Sequence, residues 1–502
     1  MEELNNLIRL IIMAMGKWVG YSTASAVSVL GLAALYLIYN APSLGVPLRL
    51  GMGIVVLILS GLVIRPALGL KGGYGFSMGG SKRGIGIIDR LSKSKGRYWE
   101  VMALWGLTLG FGIFAWPLVK GRIGKRTYAF GIASLVLIYL FVLPYSAYGF
   151  SLVNIPQLSG AAGQAPSASL LQMSPYRIAM LAITTVFGFS GLVFASIIYN
   201  SWNIIYSIAA LLANPTAQGV VSSGITTQIP GVAPVIPGIT IPLFAGIGAL
   251  AILLIVHEFS HGVLARRAGL KIKSVGILLF GFLPLGGFVE PDEKALRRLK
   301  PDKQTGIFSA GIAANFVAMI VFFVLTLAFA TYVVPHAYHY GIFVSSTQPG
   351  YPANGILHNG MRVLKWNGMN VTNVSTLASA AASDRPNSTV DLLTSAGAYA
   401  FRAVPDPNNS SRGLIGVGLS YMPIRKGLYA GSVYFLFNLF SLSLLLNFLV
   451  AVVNLLPVPG LDGWRVYMAN VRNTAITRYL GALIIVMLIV NALPWIPYFV
   501  YH

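Results

Sequence analysis

The stretch Ala249 to Ala268, ALAILLIVHEFSHGVLARRA, sets His257, Glu258 and His261 inside a run otherwise apolar and long enough to cross a bilayer. Residues four apart on a helix share a face, so the two imidazoles can reach one metal ion, with Glu258 beside them. His-Glu-x-x-His is the pattern of metal-assisted hydrolysis, in which neutral imidazoles hold Zn2+ and the glutamate acts as general base toward water. Packing between helices is the bland alternative for the histidines. The chain has only 13 acidic residues and 6 histidines, however, and an ionisable group inside a span calls for a functional reason. Here three stand together.

A third ligand is needed, and NLLPVPGLDGWRV, Asn454 to Val466, offers one. Pro457, Pro459 and Gly460 break the preceding helix and free Asp462 to turn toward a neighbour. Two histidines and one aspartate leave a fourth tetrahedral position for water, the composition of a catalytic zinc site. Asp462 could instead cap the helix after it or pair with Arg465, in which case the third ligand falls to Glu290, Asn454 or another histidine. Between the two motifs, GILLFGFLPLGGFVE, Gly276 to Glu290, is apolar but too broken by glycine and proline for a helix. It reads as extended hairpin segments, and its Gly286 and Gly287 as part of an open edge that could pair with an unwound peptide by strand addition; a plain surface loop is the alternative. Gly311 and Asn315, four residues apart in the next span, read as a helix-packing contact.

The elements that must position these residues are mostly membrane spans. At 502 residues, 56% hydrophobic and 10% charged, the chain reads as a polytopic membrane protein with one small soluble insertion. The net charge of +22 does not point to nucleic acid, because most lysines and arginines fall within 65–97, 120–126, 266–303 and 465–478, at loops and span ends. That charge reads as topology and contact with an anionic bilayer. Without cysteine, thiolate metal sites and disulfides are excluded. The basic ends place Arg266, Arg267 and Arg465 on the cytoplasmic side, with the histidines nearer that side.

In chain order, 1–17 reads as an interfacial helix, and spans are expected near 18–40, 47–64, 98–119, 128–150 and 177–200. The basic turn Lys120 to Arg126 breaks simple alternation, so one of these segments is expected to be re-entrant or interfacial. The domains are thus 1–200, a multi-span region without assignment; 201–240, an exterior loop with a surface segment at 201–213; 241–334, the first half of the catalytic core; 341–422, a soluble exterior domain; and 432–502, the second half, with a last span at 479–499.

Within the soluble region, PGYPANGILHNGMRVLKWNGMNV resembles the core of a PDZ domain. HEFSH at 257–261 and NLLPVPGLDG at 454–463, separated by that insertion, resemble the site-2 protease family of intramembrane zinc metalloproteases. The resemblance covers about residues 230–499 and includes the GFLPLGGFVE hairpin. It implies one catalytic zinc held by His257, His261 and Asp462, Glu258 as general base and acid, and Asn454 contacting the substrate backbone. It also implies transmembrane protein substrates and a multi-pass protein of the cell membrane. The expected fold is all-α and polytopic, with eight to nine spans, a membrane-embedded β-hairpin region and a PDZ-like α+β domain. A metal transporter or receptor is the main alternative, but it has no particular need for Glu258 directly after the first ligand.

Overall fold

The structure is a computed structural model that describes residues 2–41, 44–82, 84–144, 174–213, 235, 237, 241–407 and 409–494. Residues 145–173 and 214–234, which hold the end of the expected span 128–150 and most of the expected exterior loop of 201–240, and the part of the expected last span beyond 494, lie outside the described residues. The chain divides into one unit of Met1–Leu327 with Leu436–His502, and a second of Ala328–Phe435. Among the described residues nine helices are long and apolar enough to cross a membrane. The protein is a multi-pass membrane protein.

In the first unit, α1 (Glu2–Tyr39) is a single helix, so no separate interfacial helix precedes the first span. It packs on α2 (Val46–Ala67). The basic stretch that follows contains a hairpin, β1 (Lys71–Gly73) and β2 (Phe76–Ser81), closed by the two-residue loop Tyr74-Gly75 with φ of +50° and +85°. Positive φ at both central residues matches the twist of a tight hairpin. After α3 (Ile85–Ser92) comes α4 (Tyr98–Phe111), which ends at Gly112 with φ +57°. Arg97 and Arg122, on either side of this segment, line one cavity. A straight helix of that length would separate its ends by about 37 Å, so the chain turns back, as the basic turn at 120–126 requires.

α5 (Lys125–Leu137) returns along α4, and α6 (Pro175–Ala213) is broken at Gly188, φ +68°. The stretch 201–213 is therefore not a separate surface segment but the end of the helix that begins after Gly188. Asn491 on α12 (Thr474–Ala492) donates to Ser201 Oγ at 2.7 Å and ties that helix in place.

The His-Glu-x-x-His motif lies on α7 (Leu243–Arg267), followed by β3 (Ile272–Phe280) and β4 (Leu283–Pro291). These strands do not form an isolated hairpin. β2 pairs with β3, giving an antiparallel sheet in the order β1-β2-β3-β4 with β4 at its edge. α8 (Pro301–Tyr332), α10 (Ala430–Val453) and α11 (Asp462–Asn470) complete the unit. One core joins them: Leu107 and Phe111 of α4, Phe189 of α6, Ile312 and Phe316 of α8, and Leu455 are all buried together. Small residues allow the close approach. A Cβ at Gly106 would lie 2.5 Å from Ala313 Cα.

The second unit has a helix, α9 (Val374–Ala381), and six strands in one antiparallel sheet. The central run is β5 (Tyr338–Thr347), β6 (Arg362–Trp366), β8 (Thr389–Thr394) and β9 (Gly397–Arg402); β7 (Met369–Asn370) pairs with β6. A small hairpin, β10 (Val404–Asp406) and β11 (Asn409–Leu414), precedes β12 (Val417–Arg425), which returns to pair with β5. Val344, Val363, Val390 and Trp366 form its core. Trp366 Nε1 donates to buried Asp384 at 3.0 Å.

The α4–α8 contact has a direct test. Gly106→Leu should cost about 1–3 kcal/mol through overpacking against the Ala313 backbone, read as a lower thermal unfolding midpoint in detergent. Parental stability in that variant would mean that the contact can open without cost.

Candidate metal centre

α7 puts His257 and His261 one turn apart, and their Nε2 atoms stand 3.2 Å from each other. Asp462 Oδ2 is 3.1 Å from each of them. The three donors thus form a nearly equilateral triangle. Ligands at ~2.0–2.1 Å from one tetrahedral ion lie about 3.3 Å apart, so the triangle matches one face of a zinc site. The residues fit the ion, and the donor set is all nitrogen and carboxylate oxygen.

Asp462 reaches this point because α10 ends near Val453 and the Pro/Gly turn brings α11 back. Leu461, not Asp462, holds the N-cap position of α11, and no side-chain cap bond forms there. Gly463 N–H donates to the Asn454 carbonyl at 2.6 Å. A Cβ at Gly463 would lie 2.4 Å from Leu455 carbonyl carbon, so only glycine lets α11 start against the 454–455 backbone. Farther along α11, Asn470 donates to Thr305 Oγ1 of α8 at 2.8 Å, and Tyr467 meets Phe111 edge-on. Arg465 lies over the Phe308 ring rather than on Asp462, and Glu290 accepts from Ser274 Oγ. Neither competes for the ligand role.

α8 orients both imidazoles, which the Gly311/Asn315 packing expectation missed. His261 Nδ1 stands 2.7 Å from the Ile307 carbonyl, which requires Nδ1–H and leaves Nε2 free to bind metal. Asn315 Nδ2 lies 3.1 Å from His257 Nδ1, and its buried Oδ1 has no hydrogen-bond partner among the described residues. An asparagine amide presents either end with nearly the same shape. With Oδ1 toward the ring, Nδ1–H donates to it and His257 takes the same tautomer as His261. Gly311 leaves room for the rings, since a Cβ there would lie 2.6 Å from His257 Cε1. The available signal was the i, i+4 spacing of Gly311 and Asn315, which does not say what they face.

Glu258 shares a cavity of about 430 Å³ with the three donors, Gly286, Gly287 and Asn454. Its carboxylate accepts from Val289 N–H of β4 at 3.2 Å. Gly287 is packed close beside it, a Cβ there falling 2.9 Å from Glu258 Cγ. Every residue singled out for the site therefore comes to one cavity. The hairpin β1–β2 and α3 were not foreseen as its supports. α3 packs on α7, Ile88 fills the space beside Gly262, and Asp89 pairs with Arg266 at 2.6 Å.

Residues 245–495 match the model of peptidase family M50, half of the chain. The chain belongs to this family. An uncharacterized protein of Methanocaldococcus jannaschii, MJ0971, is 30% identical over 235 residues, covering 46% of this chain and 58% of that protein. Rip3 of Mycobacterium tuberculosis, named as a candidate zinc metalloprotease, is 37% identical over 76 residues, 14% of this chain and 19% of Rip3. The chain thus spans just over half of one relative and about a fifth of the other. The M50 match encloses both motifs, from α7 to the last described helix.

Two substitutions probe the centre. Asp462→Ala leaves two imidazoles, too few protein ligands for a tight site, and should abolish stoichiometric zinc in the folded protein. Asn315→Leu removes only the partner of His257 and should weaken zinc about 10–100-fold, measured by chelator competition. Unchanged zinc affinity in Asn315→Leu would reduce that residue to packing.

Proposed function

We propose that this M50 protein is a zinc-dependent endopeptidase that hydrolyses peptide bonds within or beside transmembrane segments of membrane-protein substrates, as in regulated intramembrane proteolysis. One observation carries the proposal: Glu258 lies in the same cavity as the three donors and is held by the edge strand at Val289 N–H. A site that only bound or moved an ion would have no use for a carboxylate placed there.

Bound zinc would supply Lewis-acid polarisation of the scissile carbonyl and lower the pKa of water toward ~7. Glu258 then takes the water proton and passes it to the departing amine. The hydrogen bond from Val289 keeps its carboxylate turned into the cavity. A helical substrate hides its carbonyls in its own hydrogen bonds, so the scissile segment must unwind. β4 is the sheet edge, and backbone groups two residues apart on a strand point the same way. Since Val289 N–H faces Glu258, Gly287 N–H and C=O face the cavity as well. An extended substrate paired there, beside Gly286 and Gly287, would pass Glu258 and the donors, with the Asn454 amide free to bond its backbone. The absence of side chains at two positions keeps that edge open.

The sheet is proposed to lie at membrane depth. In support, Leu283 at the hairpin tip is buried with Leu35 of α1 and Leu57, midway along α2. Arg97, Arg122, Arg267 and Lys303 all line one cavity, which gathers three of the four basic regions at one end of the unit, proposed to be cytoplasmic. By the same charge argument, 341–422 would be exterior; that it is PDZ-like and that the membrane is the cell membrane are proposed on the sequence resemblance. No nucleic acid enters this reading.

Glu258→Gln preserves shape but cannot accept the proton. It should retain zinc and lose at least ~100-fold in cleavage of a transmembrane reporter by the purified protein. Cleavage near the parental rate with zinc bound would remove the protease assignment.

A further inference from the structure

A second cavity, of about 210 Å³, shares Ile307 with the first. Its charged lining comprises Arg97, Arg122, Arg267 and Lys303 against Glu100 and Asp302. Arg267 and Glu100 satisfy each other at 2.8 Å, and Arg267 also donates to the carbonyls of Ser92, Ser94 and Gly96. The guanidinium groups of Arg97 and Arg122 have no hydrogen bond or ion pair among the described residues. Lys303 has no ion pair within 4.0 Å either and feels Glu100 only at longer range.

These cations also sit where the helices make them unfavourable. Arg97 is the N-cap residue of α4, and Lys303 lies in the first turn of α8. The positive end of a helix repels a cation and attracts an anion, so the two helix ends add to the positive field instead of offsetting it. Leu104, Val119, Leu264 and Ile307 give the rest of the wall an apolar floor, and the Thr305 hydroxyl beside them is already bonded to the Pro301 carbonyl and Asn470. A cavity with unpaired guanidiniums, an ammonium and an apolar floor is suited to an anion that accepts several charge-assisted hydrogen bonds.

We propose that this cavity binds a phosphate-bearing anion, either the headgroup of an anionic phospholipid or a free phosphate compound. Arg97, Arg122 and Lys303 donate to it, and Asp302, the carboxylate left without a cationic partner, weakens it. The site is independent of the hydrolytic reading. Its position is nevertheless close to the metal centre, because the carbonyl of Ile307 is the acceptor for His261 Nδ1.

Native mass spectrometry of the full-length protein tests this with phosphatidylglycerol against phosphatidylcholine, and thermal unfolding in phosphatidylcholine nanodiscs tests it with added inorganic phosphate. Phosphatidylglycerol retained at least fivefold over phosphatidylcholine, and not displaced by phosphate, would identify the lipid headgroup. Stabilisation by phosphate in the neutral discs would identify a free phosphate. In whichever arm binds, R97Q/R122Q should lose at least fivefold in affinity and D302N should gain at least twofold. K71Q/K294Q, an equal change of charge outside the cavity, should change it less than twofold. The proposal is overturned if neither ligand binds preferentially, or if R97Q/R122Q behaves like K71Q/K294Q.

Discussion

Two imidazoles and a carboxylate held within 3.2 Å of one another among apolar helices are tolerable only if something compensates them. A buried carboxylate without a partner costs several kcal/mol, and a metal ion is the compensation this donor set is shaped to accept. Much of the first unit follows from that requirement. α8 supplies a carbonyl that fixes the tautomer of His261 and an amide that holds the ring of His257. α11 must begin against the backbone of 454–455 to bring its first residue to the histidines, and Gly463 is the residue that permits it.

The same requirement gives the N-terminal region a structural part. α4 presses Gly106 on Ala313 and Phe111 on Tyr467, so it braces both the helix that orients the ligands and the helix that carries the third one. The basic stretch after α2 is built into the site's surroundings in two ways. Its hairpin covers the outer edge of β3 and leaves β4 as the open edge, while α3 docks on α7 through Ile88 and Asp89. Loops that look like charge for topology alone therefore carry structure as well.

The second unit stands on its own core, with Trp366 and Asp384 as a buried hydrogen-bonded pair and β12 returning to β5. Its fold does not depend on the metal centre.

His257, Glu258, His261 and Asp462 were legible in the sequence because the information is local: a four-residue helical spacing, and an acidic residue in a Pro/Gly-broken segment where lipid cannot accept a charge. The run of apolar segments was legible for the same reason, since span length depends only on bilayer thickness. Other features depended on partners distant in the chain. Asn315 looks like any small polar packing residue until α8 is laid across α7. The strands at 71–81 are short and glycine-rich, and they become strands because β3 offers an edge to pair with. The joins at Gly112 and Gly188 were likewise invisible, because glycine tolerates both helix and positive φ and only the crossing of α4 and α6 selects the latter. Sequence determined which residues could do chemistry and that they lie in a membrane protein; tertiary packing decided which groups orient them and where the chain folds back, because those depend on contacts between segments rather than on any one segment's own pattern.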